Sequence, residues 1–500
     1  MNRTSLRDRY SVILVLMFVW AVIYRVIIMY PFYANGYPAG FDSYLHAGMI
    51  YNIANNGFQI PTAIIYPPFF YLTLGDLYVV TGVHPLWLIA PYGIIVDSLA
   101  VFPMYYIAKK IADNNRDVGL LAAFFQSLNP ITLDLLCSGT IPNIIGFLWL
   151  LLLISVLVSD LRNKPVGIIM MGILTNLLFL THILVAGFYG FLFIMIFFWE
   201  VALRKGNLYF KPMLFSILIA IPMTVLYYLP RVVFVSLGGT GTAEDILAWT
   251  FPILFLTPIL CSPWIFLIKR EWSKRYVSRT PHINLLKLWY AAPLVITFVF
   301  LWQIAIYPRM WYFFTFPDIV ILAAILTRKF VMMRKVRGPR STKKIVAAFI
   351  AATVICTFIG GTVNFNGFFN ATPERLALIQ WTRTNTPPNA VFCTEEEHIP
   401  THLGWYITAL TGKSAHESLS AFSAVLEVGS ASVFDLRNSR NITTLTARSQ
   451  DWNSSVRALQ VTYVILLVSV SHPNYAPIAS EMVYSDGVYF IYNVTAYTYG

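Results

Sequence analysis

Charge is the first thing this chain lacks. Asp, Glu, Lys and Arg make up 12% of its 500 residues, against about a quarter in ordinary soluble domains. So little charge cannot coat a soluble protein of this size. Cysteine is scarce too: Cys137, Cys261, Cys356 and Cys393 lie far apart with no CxxC spacing, which excludes a disulfide scaffold and a zinc ribbon. The glycine-rich stretch "SLGGTGTAEDILAW", 236–249, has no Lys-Ser/Thr after its glycines and so is not a P-loop. The first apolar segment exceeds a signal-peptide core and has no small-residue cleavage site, so it is retained as an anchor. No internal repeat and no low-complexity segment occur.

What is present is hydrophobicity: 57% of the residues are apolar and 16% aromatic. Runs of about 18–22 apolar residues, enough to cross a bilayer, recur through the first 360 or so positions. Eleven spans are expected, at 10–30, 86–107, 118–135, 141–159, 166–182, 183–201, 211–229, 250–268, 286–304, 311–327 and 345–361. The fold class is therefore an α-helical polytopic membrane protein, with a transmembrane part over 1–361. The net charge of +12 fits this scheme without a nucleic-acid partner. Arg3, Arg7 and Arg9 precede the first span. Lys109, Lys110, Arg116, Arg162, Lys164, Arg204, Lys205, Lys211 and the basic segments 269–287 and 328–344 then fall on the same side. The positive-inside rule makes that side cytoplasmic, so the N-terminus is expected in the cytoplasm.

An odd number of spans puts the C-terminal segment, 362–500, outside. Its short apolar runs ("AVFCT", "VTYVILLVSV", "GVYFIYNV") alternate with helix-like stretches ("PERLALIQWTRTNTPP"), the pattern of a small α/β domain. Sequons at Asn370, Asn441, Asn453 and Asn493 suit an extracytoplasmic location. The first outer loop, 31–85, is the other large extramembrane piece.

Polar residues at the outer ends of spans are the candidate chemistry. In "GFDSYLHAGMIYNIANNGF", Asp42 and His46 stand one helical turn apart. A plain reading makes Asp42 or Ser43 an N-cap, His46 a surface residue and Gly57 the left-handed stop. "IYPPFFY" contributes Tyr66 before two prolines that hold an extended backbone. "SLNPITLDLLCSGTIPN" places Asp134 near the membrane surface. "LTH" puts His182 at the end of a span, where a lone histidine is commonly a satisfied polar group. "YPRMWYFFTFPD" puts Arg309 among aromatics, able to snorkel or to grip a phosphate through its planar fork. Glu244 belongs to the glycine-rich loop, which reads as a mobile gate. Arg25 and Asp97 lie deeper; intramembrane charges are functional by default, but these two can simply pair. A site on this face uses no cytosolic nucleotide, so an activated substrate would arrive in the bilayer.

The ordered series of Arg25 in the first span, Asp42 in "GFDSYLH", "YPP" at 66–68, "LTH" at 180–182, "YPRMWYFFTFP" at 307–317 and a tail entered by "WTRTNTPPNAVFCTEEE" resembles the GT-C superfamily of membrane glycosyltransferases, its archaeal members above all. The resemblance implies transfer of a sugar from a polyprenyl-phosphate-linked donor to a lipid, glycan or protein acceptor at the extracytoplasmic face. It gives Asp42 the role of general base or metal ligand, with Mg or Mn as the possible cation, and His46 a place beside it in the catalytic pair. Arg309, His182, Tyr66, Arg25, Asp134 and Glu244 become candidate substrate or phosphate contacts.

A nearer cousin is the catalytic subunit of oligosaccharyltransferase. Here "GTIPN" has Pro142 where that family has an acid, and "THLGWYITALTGKSA" stands where it has its WWDYG signature. Transfer of a single sugar is therefore expected ahead of bulk transfer to asparagine. A lipid-linked-sugar transporter or flippase, and an inactive partner with the same fold, are the alternatives. Membrane lipids are partners under every reading.

Overall fold

The computed structural model describes residues 3–34, 41–55, 57–58, 67–204, 208–236, 282–299, 307–366, 373–394, 407, 411, 414–417, 452–467, 480–485 and 488–499. The expected span 250–268, Tyr66 and Glu244 lie outside them. Most of the rest is helix: α1 (Arg3–Ala34), α2 (Phe41–Asn55), α3 (Phe69–Thr81), α4 (Pro85–Leu99), α5 (Val101–Ile111), α6 (Arg116–Ser127), α7 (Pro130–Ser138), α8 (Ile141–Leu157), α9 (Pro165–Phe179), α10 (Ile183–Phe197), α11 (Phe210–Ser236), α12 (Ile283–Val299) and α13 (Tyr307–Asn366). The protein is a multi-pass, all-helical membrane bundle with a small C-terminal α/β part.

Among the described residues, five helical stretches are long and apolar enough to cross a bilayer unaided: Arg9–Tyr30, Pro85–Ile111, Arg116–Ser138, Ile183–Ala202 and Phe210–Leu229. Their outward faces are apolar. Leu16 on α1 and Leu226 on α11 are 61% and 72% exposed, as lipid-facing side chains should be. The expected spans 311–327 and 345–361 are the two limbs of α13, which turns back at Gly338 (φ 77°), followed by Pro339. Glycine allows the left-handed conformation, and proline restarts the helix.

Local chemistry explains the other breaks. Pro130 cannot continue α6, so the expected span 118–135 is two helices, with the Asn129 side chain accepting from Ile131 N at 3.0 Å to start α7. Asn115 caps α6 through Asp117 N and Val118 N. His182 caps α10 through Val185 N. Glu200, in a π-helical turn after α10, receives the backbone N–H groups of Leu208, Tyr209 and Phe210, the orphan donors at the start of α11. The first outer loop is more helical than its prolines suggest: α3 begins directly after Pro68.

Arg25 and Asp97 do pair, at 2.5 Å, inside the bundle. The guanidinium also donates to Ala21 O, to Ser127 O at 2.9 Å and to Gln126 O. The Ser127 carbonyl has lost its helical donor, because Ile131 N is taken by the Asn129 cap. Arg25 thus closes the C-terminal end of α6, where a cation also suits the helix dipole.

The C-terminal part comprises α14 (Pro373–Asn385), β1 (Val391–Thr394), β2 (Ser414–Glu417), α15 (Trp452–Leu459), β3 (Tyr463–Leu467), β4 (Met482–Ser485), β5 (Tyr489–Asn493) and α16 (Thr495–Tyr499). The sheet order is β2-β1-β3-β5-β4. β1 runs parallel to β2 and β3, while β5 is antiparallel to β3 and β4. Strand alternation puts Phe392, Ile465 and Ile491 on the face covered by Leu378 of α14. Cys393, Val464 and Leu466 face Trp452 and Val456 of α15. Both faces of the sheet are covered, as parallel pairing requires.

Candidate functional site

The two ends of the bundle carry different chemistry. One end gathers the turns at 112–115 and 158–164 with residues 203–204 and 208–209. There Lys110 reaches Asp160 at 3.3 Å and the Tyr209 hydroxyl meets His282 Nδ1 at 2.7 Å. His282 is pushed down to about 4, mainly by burial and further by the nearby Arg162 and Lys110 cations. With the Glu200 carboxylate committed to backbone N–H groups, these groups cap and pair the turns.

The opposite end gathers the start of α2, the start of α3, the α7–α8 turn and the α9–α10 turn. Phe69 N donates to Leu180 O at 2.9 Å, tying α3 to the "LTH" turn. In the same place Trp149 Nε1 donates to Thr181 Oγ1 at 3.2 Å, and the Trp149 ring meets Phe69 edge-on. His182 is 4% exposed and packs against Gly146, on the first turns of α8. The "LTH", "PPFF" and "GTIPN" segments, far apart in sequence, therefore meet around one helix end.

Asp42 joins them through Gly139. This glycine ends α7 in the left-handed conformation (φ 86°), and a Cβ built on it would lie 2.5 Å from Ser43 N and Oγ and 3.2 Å from Asp42 C. Only a residue without a side chain lets the α7–α8 turn approach α2 so closely. Asp42 sits in the first turn of α2 rather than before it and is half-buried. A carboxylate there is favoured by the exposed N–H groups and dipole of the helix start, by about 0.3–1 kcal/mol. Gly57, at φ 66°, takes the left-handed conformation expected where α2 stops.

His46, one turn on, is buried rather than on the surface. It is 3% exposed, its ring lies edge-on to Phe70, and its Nδ1 is 2.9 Å from the Tyr71 hydroxyl. Burial pushes its pKa down to about 3, so the imidazole stays neutral and anchors α2 to α3. Arg25 is likewise withdrawn from the expected phosphate contacts: it is fully buried and bound to Asp97 and the α6 carbonyls. The backbone of Arg309 lies in the first turn of α13; its side chain is outside the described part. Asp134, on α7, accepts from the Tyr312 hydroxyl at 3.3 Å, which fastens the start of α13 to the same end. Stacking of Phe313 on Phe188 (4.0 Å between centroids) and edge-on packing of Phe147 against Phe313 and Phe316 (5.2 Å each) hold that helix against α8 and α10.

Two residues here carried no role in the sequence reading. Tyr312 looked like one more aromatic at a membrane interface. Asn143, the last residue of "GTIPN", is 5% exposed, and its Oδ1 is buried without a hydrogen-bond partner. An orphaned amide oxygen inside protein is costly. Only the neighbouring acid-to-proline departure could have drawn the eye to it.

Among the described residues, no three His, Cys, Asp or Glu side chains converge as metal ligands. Asp42 is the carboxylate at the α2–Gly139 junction, and a hard divalent cation wants about six oxygens. The described donor set does not by itself fit a Mg or Mn site.

No family model matches the sequence, and no curated protein matches it. Solved structures do share its fold. The Archaeoglobus fulgidus oligosaccharyltransferase, complexed with Zn and sulfate, superposes with a TM-score of 0.61 at 14% identity, over 91% of this chain and 67% of the other. Its apo form gives 0.61 and 14%, over 91% and 69%. The archaeal oligosaccharyltransferase AglB from Archaeoglobus fulgidus, in complex with an inhibitory peptide and a dolichol-phosphate, gives 0.57 and 12%, over 92% and 69%. This chain shares the fold of those structures.

Proposed function

We propose that this protein is a membrane glycosyltransferase that moves a sugar from a polyprenyl-phosphate-linked donor to an acceptor at the extracytoplasmic face, with Asp42 as general base. The observation that carries the reading is the placement of Asp42. In an oligosaccharyltransferase-like fold, the acid opening the first loop is held at the meeting point of α2 and the α7–α8 turn, beside the "LTH" turn. In the reaction, the Asp42 carboxylate takes the proton of the acceptor nucleophile as that atom attacks the anomeric carbon. The bond from the anomeric carbon to phosphate breaks, and polyprenyl phosphate leaves with the electron pair. Arg309, at the start of α13, is the residue to neutralise that phosphate, and His182 orients the "LTH" turn beside it.

The basic turns at the opposite end support a cytoplasmic N-terminus and a tail, 362–500, on the outer side. A lipid-borne donor suits a site on that outer side, where nucleotide sugars are absent. The acceptor is a lipid, glycan or protein; the peptide held by the archaeal neighbour favours protein among the three.

The test is mass spectrometry of lipids that co-purify in mild detergent. Near-stoichiometric polyprenyl phosphate, bare or sugar-linked, is the expected result. Only bulk phospholipid, even after incubation with polyprenyl-phosphate sugars, would overturn the reading.

A further inference from the structure

A recess lies on the other side of α13 from the Phe188–Phe313 stack. It is a cavity of about 450 Å³ between α6, the start of α7 and the two limbs of α13. Its wall is mostly hydrocarbon: Phe125, Leu128, Ile319, Leu322 and Ile325 among others. At about 30 Å³ for each water-sized group, it has room for roughly fifteen such groups, a single chain of a dozen or more carbons. Its lining runs down α13 from Thr315 to Lys329, about 21 Å at 1.5 Å per residue.

Thr315, Asp318 and Thr357 supply the polar lining at one level; of the other polar residues, Asn129 is bonded to Gln126 and Ile131, Thr353 to Phe349 O, and Lys329 stands at the far end. Thr315 and Asp318 are one turn apart on α13 and share a face. The Thr315 hydroxyl is buried with no hydrogen-bond partner, and Asp318 has no ion pair among the described residues. Thr357, on the returning limb, lies at the same height because the two residues are nearly equidistant from the Gly338 turn. Thr357 already donates to its own helix at Thr353 O, so it does not satisfy the other two. A carboxyl and a hydroxyl facing an apolar cavity inside a bilayer are expensive unless something bonds to them. A ligand hydroxyl suits both, since it can donate and accept at once.

We infer that this cavity binds a single-chain lipid alcohol, its hydroxyl held by Asp318 and Thr315 and its chain running along Leu322 and Ile325 toward Lys329. Nothing in this depends on the chemistry at Asp42. The site would act as a lipid-responsive brace between α6–α7 and α13, the elements that carry Asp134 and Tyr312.

The test is photolabelling of the full-length protein in nanodiscs with a diazirine-bearing hexadecanol, and in parallel with its O-methyl ether. The alcohol is expected to label peptides of α6 and α13 at least tenfold more than the ether. Asp318→Leu should reduce that labelling at least tenfold while the protein remains monodisperse and at least as heat-stable as wild type. Leu322→Trp, which fills the chain path, should block labelling with the polar pair intact, and Asp42→Asn should leave it unchanged. Equal labelling by alcohol and ether, full labelling of Asp318→Leu, or label outside α6 and α13 would each overturn the assignment.

Discussion

Replacing Asp97 by leucine strands the Arg25 guanidinium inside the bundle, and the structure fixes how much that should cost. Arg25 has no exposed surface, and its Nε donates to Asp97 Oδ2 at 2.5 Å. Breaking a buried pair by removing one member leaves an uncompensated charge and costs about 3–5 kcal/mol. Arg25→Met has a similar charge penalty. It also leaves the Ser127 carbonyl, now bonded at 2.9 Å, without a donor, which adds about 1–3 kcal/mol. In the double variant Arg25→Met/Asp97→Leu both charges are gone and only the orphaned carbonyl remains, about 1–3 kcal/mol below wild type. The double variant should therefore be more stable than either single one. Apparent unfolding midpoints of the four proteins, purified in one detergent at one pH, complete the cycle. A double variant as unstable as the sum of the singles would refute the coupling. Single variants within about 1 kcal/mol of wild type would refute the burial argument altogether.

Asp42→Asn should lower sugar transfer about 10²–10⁴-fold, the usual worth of a positioned base, with an unchanged unfolding midpoint; an active variant sinks the assignment. Gly139→Ala meets a left-handed backbone and a Cβ 2.5 Å from Ser43. It should cost about 1–3 kcal/mol and, by pushing α2 aside by about an ångström, slow transfer by roughly two orders of magnitude. Normal rate and stability would show that the close approach is unimportant. The pH dependence follows from His46, whose folded value is about 3 against about 6.5 unfolded. The unfolded chain binds the proton more readily, so the contribution is whole above pH 6.5 and is lost as pH falls from there toward 3. That is about 1.4 kcal/mol per unit, or about 2 kcal/mol by pH 5. His46→Asn should flatten part of the acid side of the stability profile, with His282 supplying a remainder of the same sign. A profile identical to wild type would mean that His46 titrates freely.

Much of the architecture was legible in the sequence, because a bilayer imposes its demands on consecutive residues. Spans, the basic side and the α/β tail all follow from local hydropathy, charge and strand alternation. The strands around "AVFCT", "VTYVILL" and "YFIYN" stand where those apolar runs do. Breaks in helices were less legible. Pro130 splits an expected span because it has no N–H to continue α6 and Asn129 caps a new helix, a break that average hydropathy does not register, and α3 hides behind two prolines that suggested an extended loop.

The site divides along the same line. Sequence alone identified Asp42, His182 and Arg309 as candidates, since the residue types and their positions at span ends are local facts. Which partners the polar residues keep was decided by packing. The fold buries His46 between Phe70 and Tyr71 and commits Arg25 to Asp97 and the end of α6, while Gly139 is brought against the start of α2. It also leaves the oxygens of Asn143 and Thr315 without partners. Each of these depends on contacts between helices distant in sequence. No period or motif encodes them, because a side chain's partners are chosen only when the helices pack.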